Sequence, residues 1–311
     1  SRAVANLNPI AWWTAESNAL DIVGAHHGNP QNVAYTKGMV GQAFVFTNST
    51  SPGFSNQSRI LVLDSTGFEL TSSLTIDAWI YPRDMRGNSG TIFWRGDCRS
   101  GWDPYSFLMN GNNSLTFTIT DTSNQVDSVS ASTPLASNQW HHVAAVLDGA
   151  AGTMSIYVDG ELKATKDTLS RPFGPLDRNQ DPAICLGNSG TDCNNTDILP
   201  FNGFMDEVAL YGQALSADQI RAIYNAGAKG KCGTAEPPTI CSLPVTTNAV
   251  VGPLHCPVNG HYYYLLNLVS TNATLNTLVT NNSWTNSELV AVSLGGHLFN
   301  VDTREERDFI T

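Results

Sequence analysis

The sequence predicts a mainly β chain: a two-sheet antiparallel jelly-roll sandwich with a short C-terminal helix, followed by a linker and a partial α+β domain. Three observations predict it. Short apolar or alternating runs recur between turn signals from Ala11 to Tyr211. No capped helical pattern occurs before Ser216. Charged residues are only 14% of the chain, while Gly, Asn, Ser and Thr are abundant, a loop-rich β composition.

The runs follow one another along the chain. Gln42-Ala-Phe-Val-Phe46, Arg59-Ile-Leu-Val-Leu63, Leu74-Thr-Ile-Asp-Ala-Trp-Ile80 and Leu115-Thr-Phe-Thr-Ile119 alternate or run apolar for a strand's length. Trp140 to Leu147 and Met154 to Val158 come next, the latter ending in Asp159-Gly160, a two-residue hairpin signal. Many short strands without an intervening helix make two packed sheets. Residues 84–105 and 170–200 read as long loops, which more often carry function than short ones.

Phe201 to Cys232 reads as a strand and one helix. Strict alternation places Phe204, Asp206, Val208 and Leu210 on one face, so a carboxylate sits in an apolar row. Buried alone it costs several kcal/mol (about 3–5), so Asp206 needs a cation, a metal or several N–H donors. Ser216-x-x-Gln219 is a capping box, Gly227 a stop, and Ile220, Ile223 and Tyr224 form one apolar stripe.

Three parts are expected: a jelly roll over 1–232, a Pro-rich linker with cysteines over 233–257, and a truncated domain over 258–311. In the last part a strand His261–Asn267 is followed by a helix from Ser283 or Thr285 to Ser293. A strand His297–Val301 and a helix opening at Thr303 come next. Some fifty residues with two capped helices make a poor core, so the chain reads as cut inside a domain. It opens on Ser1-Arg2, as a mature or trimmed terminus does.

A formal charge of −11 argues against nucleic acid and anionic membranes, and no apolar run is long enough for membrane insertion. It leaves carboxylates for a hard cation such as calcium. Six cysteines without a C-x-x-C pair favour disulfides in an oxidising compartment over zinc or redox chemistry. Cys98, Cys185 and Cys193 precede the boundary and Cys232, Cys241 and Cys256 follow it. Either one bridge crosses the boundary, or one thiol in each half stays free or pairs elsewhere. N-x-Ser/Thr sequons stand at Asn48, Asn56, Asn112, Asn194, Asn272 and Asn281.

Residues from about 8 to 232 resemble the laminin G-like, concanavalin A-type jelly rolls of secreted and cell-surface proteins. The resemblance is carried by Trp13-Thr-Ala-Glu16, Asn18-Ala-Leu-Asp21, Gly38-Met-Val-Gly-Gln-Ala-Phe44 and Thr75-Ile-Asp-Ala-Trp-Ile80. Trp140-His-His-Val-Ala144, Ile156-Tyr-Val-Asp-Gly160 and Phe201-Asn-Gly-Phe-Met-Asp-Glu-Val208 continue it. Residues from about 258 resemble the first half of a C-type lectin-like domain, on Gly260-His-Tyr-Tyr-Tyr264, Ser283-Trp284 and Ala291-Val-Ser-Leu-Gly-Gly-His-Leu298. The second half, where members bind calcium and sugar, is absent, so no sugar site is carried over to this part.

The first resemblance implies a structural calcium (Ca2+) held by Asp206, with Asp21 and the Gly41 carbonyl as partners. The alternative is that buried N–H groups satisfy Asp206. For ligand contact the candidates are Arg95, Asp97, Arg99, Trp102 and Asp103, a mix of guanidinium, carboxylate and aromatic groups suited to sugars. The competing expectation is that these charges pair with one another to hold a long loop. Arg95-Gly96-Asp97 also spells an integrin tripeptide, a match with a high false-positive rate. Asp177 to Asp181 opens like a calcium loop, but Pro182 and Asn188 replace its glycine and acid, leaving a solvated loop. His26-His27 and His141-His142 are neighbours that point to opposite faces of a strand, so core or turn roles are expected.

Glycan hydrolases share this scaffold and usually place their acids as E-x-D-x-x-E. That spacing is missing here, as are G-x-S-x-G and H-E-x-x-H. The expectation is a non-catalytic binding or adhesion module of a secreted or cell-surface multidomain protein, with a glycan or an extracellular protein as partner. The alternatives are a structural subunit, as a homo-oligomer or larger assembly, and an accessory domain of a polysaccharide-degrading enzyme.

Overall fold

A computed structural model describes residues 7–47, 58–83, 85, 87–99, 101–189 and 199–231, with the backbone of 250–255 and 262–266. Residues Leu7–Lys231 form one compact unit. Its strands in chain order are β1 (Ala11–Trp13), β2 (Gly28–Gln31), β3 (Ala34–Lys37), β4 (Gln42–Phe46) and β5 (Arg59–Leu63). Next come β6 (Leu74–Pro82), β7 (Gly90–Gly96), β8 (Tyr105–Met109), β9 (Leu115–Thr120) and β10 (Val126–Ala131). The last five are β11 (His141–Asp148), β12 (Thr153–Val158), β13 (Glu161–Asp167), β14 (Ala183–Leu186) and β15 (Gly203–Tyr211), followed by the helix α1 (Ala217–Ala226).

Two antiparallel sheets result. One runs β13-β12-β11-β6-β15-β4-β3, with β1 also on β15; the other runs β10-β9-β8-β7-β14-β5-β2. Residues two apart line the space between them: Leu74, Ile76, Ala78 and Ile80 from β6 meet Phe107, Phe117 and Ile119 from the facing sheet in one core. The expected mainly β sandwich with a short helix is the observed one.

Local chemistry explains its joints. Asp159 and Gly160 have φ of +52° and +76°, as a two-residue hairpin between β12 and β13 requires. Ser216 accepts from the Gln219 N–H while Gln219 reaches back to the Ser216 N–H, and Gly227 ends α1 with φ +50°. Ile220 and Ile223 are buried, and Tyr224 stacks on Trp79 of β6 with centroids 5.8 Å apart, so the helix covers part of the first sheet's outer face.

The long loops differ from expectation. Gly90-Thr-Ile-Phe-Trp-Arg-Gly96 holds the apolar run Ile92-Phe-Trp94 between two glycines, and it forms β7, buried from end to end. Ala183 to Leu186 likewise forms β14 inside the stretch expected as a second long loop.

In the second unit, β16 (Val250–His255) pairs antiparallel with β17 (Tyr262–Leu266). The stretch expected as linker thus ends in a strand. Pro253 lies at its register shift, where a missing N–H breaks no ladder bond. The expected helices near 283–293 and after Thr303, and the strand His297–Val301, lie outside the described residues.

Candidate functional site

β15 organises the polar part of the sandwich through one irregularity. Asp206 is registered with Trp79 of β6, but the next partners are Ala209 and Asp77, so one extra residue is inserted on β15. Glu207 takes it up with φ +56°, a left-handed conformation that is uncommon outside glycine. The insertion reverses the alternation. Met205, Val208 and Leu210 face the core, whereas Phe204 and Asp206 belong to the outer face. The single face expected for Phe204, Asp206, Val208 and Leu210 is therefore split at Glu207.

The bulge delivers two consecutive carboxylates into a buried polar layer. Asp206 is fully buried; its Oδ2 accepts the Val40 N–H at 2.8 Å, and its Oδ1 has no hydrogen-bond partner. The turn at 38–41 is shaped for this contact. The Gly38 N–H bonds the Gly41 carbonyl, and a side chain at Gly38 would collide with Asp206. Gly41, at φ +49°, leaves room for the carboxylate of Glu16, which accepts the Gln42 N–H. Burial and the adjacent Glu207 carboxylate push the Asp206 carboxyl up to about 9, against the Val40 N–H, which favours the anion. Burial also pushes Glu207 up to about 7 despite the Lys231 ammonium.

Lys231 anchors the other side of this layer. Its Nζ donates to Asp77 Oδ1 at 3.0 Å and to the Glu207 carbonyl at 2.5 Å, and lies 5.3 Å from the Trp12 ring centre. His142 Nε2 meets Asp77 Oδ2 at 3.0 Å. Burial raises the Asp77 carboxyl, but Lys231 and His142 outweigh it and hold the group below its usual range. His141 meets Asp159 at 2.8 Å, so the two adjacent histidines do serve different faces.

Of the three expected calcium ligands the structure brings Asp206 and Gly41 to one turn and places Asp21 in another cluster. Asp21 Oδ1 accepts the N–H groups of Trp12 and Val23; Oδ2 meets the N–H and Nδ1 of His26. Glu16, not Asp21, is the acid from the amino-terminal segment that reaches the 38–41 turn. Its signal lay in the sequence only as part of Trp13-Thr-Ala-Glu16. Among the described residues no three His, Cys, Asp or Glu side chains converge on one metal-sized point.

The expected ligand-contact residues are turned inward or tied to each other. Arg95 lies within β7, fully buried, with Nε and a terminal nitrogen on the two Asp64 oxygens at 2.7 and 3.0 Å and another on the Gly174 carbonyl. Asp97 is buried and accepts from Arg99 Nε and from the Asp177 N–H. Arg99 in turn lies over Trp102 at 4.2 Å, Trp102 abuts Phe173, and Asp103 packs against Gly96. The charges hold the segment together, and Arg95's partner comes from outside it. With Arg95 and Asp97 buried, the integrin tripeptide is not displayed.

A group that sequence reasoning missed lies on the outer face of the first sheet. Phe204 of β15 and Tyr81 of β6 are registered neighbours whose rings stack at 5.0 Å and 27°. Trp140 meets Tyr81 edge-on at 5.6 Å, and the Arg83 guanidinium lies over Phe204 at 4.4 Å. The three rings are half-buried and Arg83 is exposed. No short motif announces this group, because Tyr81 of β6, Trp140 just before β11 and Phe204 of β15 are far apart in sequence.

A family model described as the concanavalin A-like lectin/glucanases superfamily matches residues 54–221. No curated protein matches the chain. Among solved structures, the binding domain of Paraclostridial Mosquitocidal Protein 1 is similar at TM-score 0.53 and 16% identity, covering 70% of this chain and 52% of that one. Domain 4 of AbnA, a GH43 extracellular arabinanase from Geobacillus stearothermophilus in complex with arabinotriose, is similar at 0.51 and 20%, covering 69% and 97%. The binding domain of Botulinum Neurotoxin DC in complex with SialylT is similar at 0.52 and 16%, covering 72% and 52%. The chain thus spans about half the length of the toxin domains and nearly all of the arabinanase domain.

Proposed function

The chain belongs to the concanavalin A-like lectin/glucanases superfamily, and on that premise we propose that it is a non-catalytic carbohydrate-binding module of a secreted or cell-surface multidomain protein. The observation that carries this reading is the Tyr81, Trp140, Phe204 and Arg83 group on the outer sheet face. Trp, Tyr and Arg are the residue types that concentrate binding energy at recognition surfaces. The adjacent acids Asp206 and Glu207 are instead buried, Asp206 against the 38–41 turn. Two neighbours named as complexes with arabinotriose and SialylT support a glycan as ligand. Cys98 is disulfide-bonded, which supports an oxidising, extracellular setting. No helix among the described residues is long and apolar enough to cross a membrane.

A calcium ion at Asp206 is part of the proposal. The partnerless Oδ1 of Asp206 supplies one oxygen suited to this hard cation, the nearby Glu207 and Glu16 carboxylates add negative charge, and backbone carbonyls such as that of Gly41, with water, would complete the shell. A bound cation would neutralise the crowded carboxylates and serve stability alone.

The near-complete match to the arabinanase domain favours one setting, an accessory domain beside a polysaccharide-degrading unit. Screening the protein on immobilised glycans, with and without a chelator, tests the function. Binding is expected under both conditions below the melting temperature. No signal under either overturns the glycan reading and leaves a protein partner or an assembly role.

A further inference from the structure

We propose that Arg83, Phe204, Tyr81 and Trp140 form a site for a pyranose bearing a single carboxylate. The inference rests on the glycan-binding reading and adds to it the class of sugar.

The argument starts from ring geometry. Adjacent strands lie about 4.8 Å apart, and the Tyr81 and Phe204 centroids are 5.0 Å apart with planes 27° from parallel. Coplanar rings at that distance would overlap, so the two stand face to face on the sheet. Tyr81 stacks on Phe204, and the Arg83 guanidinium lies over the Phe204 ring at 4.4 Å. Both rings are half-buried, so part of each meets solvent, and aromatic edges carry partial positive charge.

Arg83 adds a full charge beside those edges. It is exposed, and among the described residues no carboxylate pairs with it. Its fork matches a carboxylate with two parallel N–H bonds. Trp140 meets Tyr81 edge-on and lies tilted 6.3 Å from Phe204, and it is only half-buried, so part of its indole is available to the C–H face of a sugar. Every member is braced by another ring or cation, so little freedom is lost on binding.

Net charge sharpens the class. At −11 the chain repels anions at long range. A polyanion gains little from one guanidinium, whereas one carboxylate per recognised sugar needs no more than Arg83.

Two natural sources share this chemistry, a terminal sialic acid and a terminal uronic acid. Calorimetric titration with a trisaccharide ending in each, and with the carboxyl-reduced form of each, separates them. At least one acid is expected to bind, with its reduced form and the Arg83→Gln protein weaker by about tenfold or more. Trp140→Ala should abolish binding with little change in melting temperature. Equal affinity for acid and reduced sugar overturns the class. Glycan binding that survives both substitutions overturns the site while leaving the glycan-binding function standing. Absence of all glycan binding overturns both.

Discussion

Val40 donates its backbone N–H to Asp206 across 166 residues of sequence, at 2.8 Å, and so ties the last strand of the sandwich to the turn that follows β3. Around this bond Gly38 clears space for Asp206, and Gly41 clears space for Glu16. The other Asp206 oxygen is left open.

Removing the carboxylate should separate its two roles. Asp206→Ala leaves the Val40 N–H without its acceptor and is expected to cost about 1–3 kcal/mol, lowering the melting temperature. Asp206→Asn keeps an acceptor for Val40 but loses the charge, so its metal-free stability should stay near or above that of the parent. Both should lose any calcium-dependent stabilisation. A full calcium response in either protein, read by differential scanning calorimetry, contradicts a ligand role for Asp206.

The pH dependence has a definite sign. Asp206 is held at about 9 in the folded chain, above its ordinary 3.8, and Glu207 at about 7 above 4.5. The folded chain keeps protons that the unfolded chain releases near pH 4, so this pair's contribution is full below about pH 4. It is lost as pH rises through 7 and then 9. In chelator, the melting temperature of the parent relative to Asp206→Asn should fall between about pH 5 and pH 9. Calcium must displace the proton, so its stabilising effect should grow over the same range. A difference between the two proteins that is flat with pH contradicts the raised carboxyls.

Glu207 tests the bulge. A left-handed non-glycine residue stores on the order of 1 kcal/mol or more. Glu207→Gly is expected to hold or raise stability, because it relieves both the backbone and the buried charge. Glu207→Val, β-branched at φ +56°, should lower it by about 2 kcal/mol. Denaturant unfolding of the pair checks the order; a valine protein as stable as the glycine protein contradicts the observed backbone.

The fully buried Arg95 pairs with Asp64, and breaking a buried pair from one side costs about 3–5 kcal/mol. Arg95→Ala should therefore be severely destabilised in denaturant unfolding, whereas Arg99→Ala, a half-exposed partner of Asp97, should lose far less. Comparable small losses in both would return Arg95 to the role of a surface contact.

The sandwich was legible wherever its signals are local. Ser216, Gln219 and Gly227 bound the helix, and Asp159-Gly160 turns the hairpin, because each acts within four residues of itself. The bulge was not legible, since Glu207 has no side-chain preference for φ above zero; only the pairing of β15 with β6 imposes it. Arg95 misled for a similar reason. Its partner Asp64 is 31 residues away, so a charge that reads as an exposed contact is spent inside. The same distance hid the outer-face group, where Tyr81, Trp140 and Phe204 become neighbours only when three strands are side by side.

The buried carboxylates around Asp206 hold the fold, whereas the proposed ligand surface is the half-buried Tyr81, Trp140 and Phe204 group with exposed Arg83, farther along the same sheet face. Glycan affinity of the Asp206→Asn protein, measured well below its melting temperature, tests that separation most directly. The predicted result is binding equal to that of the parent, together with loss of the calcium response. A folded Asp206→Asn protein that no longer binds glycan would contradict it.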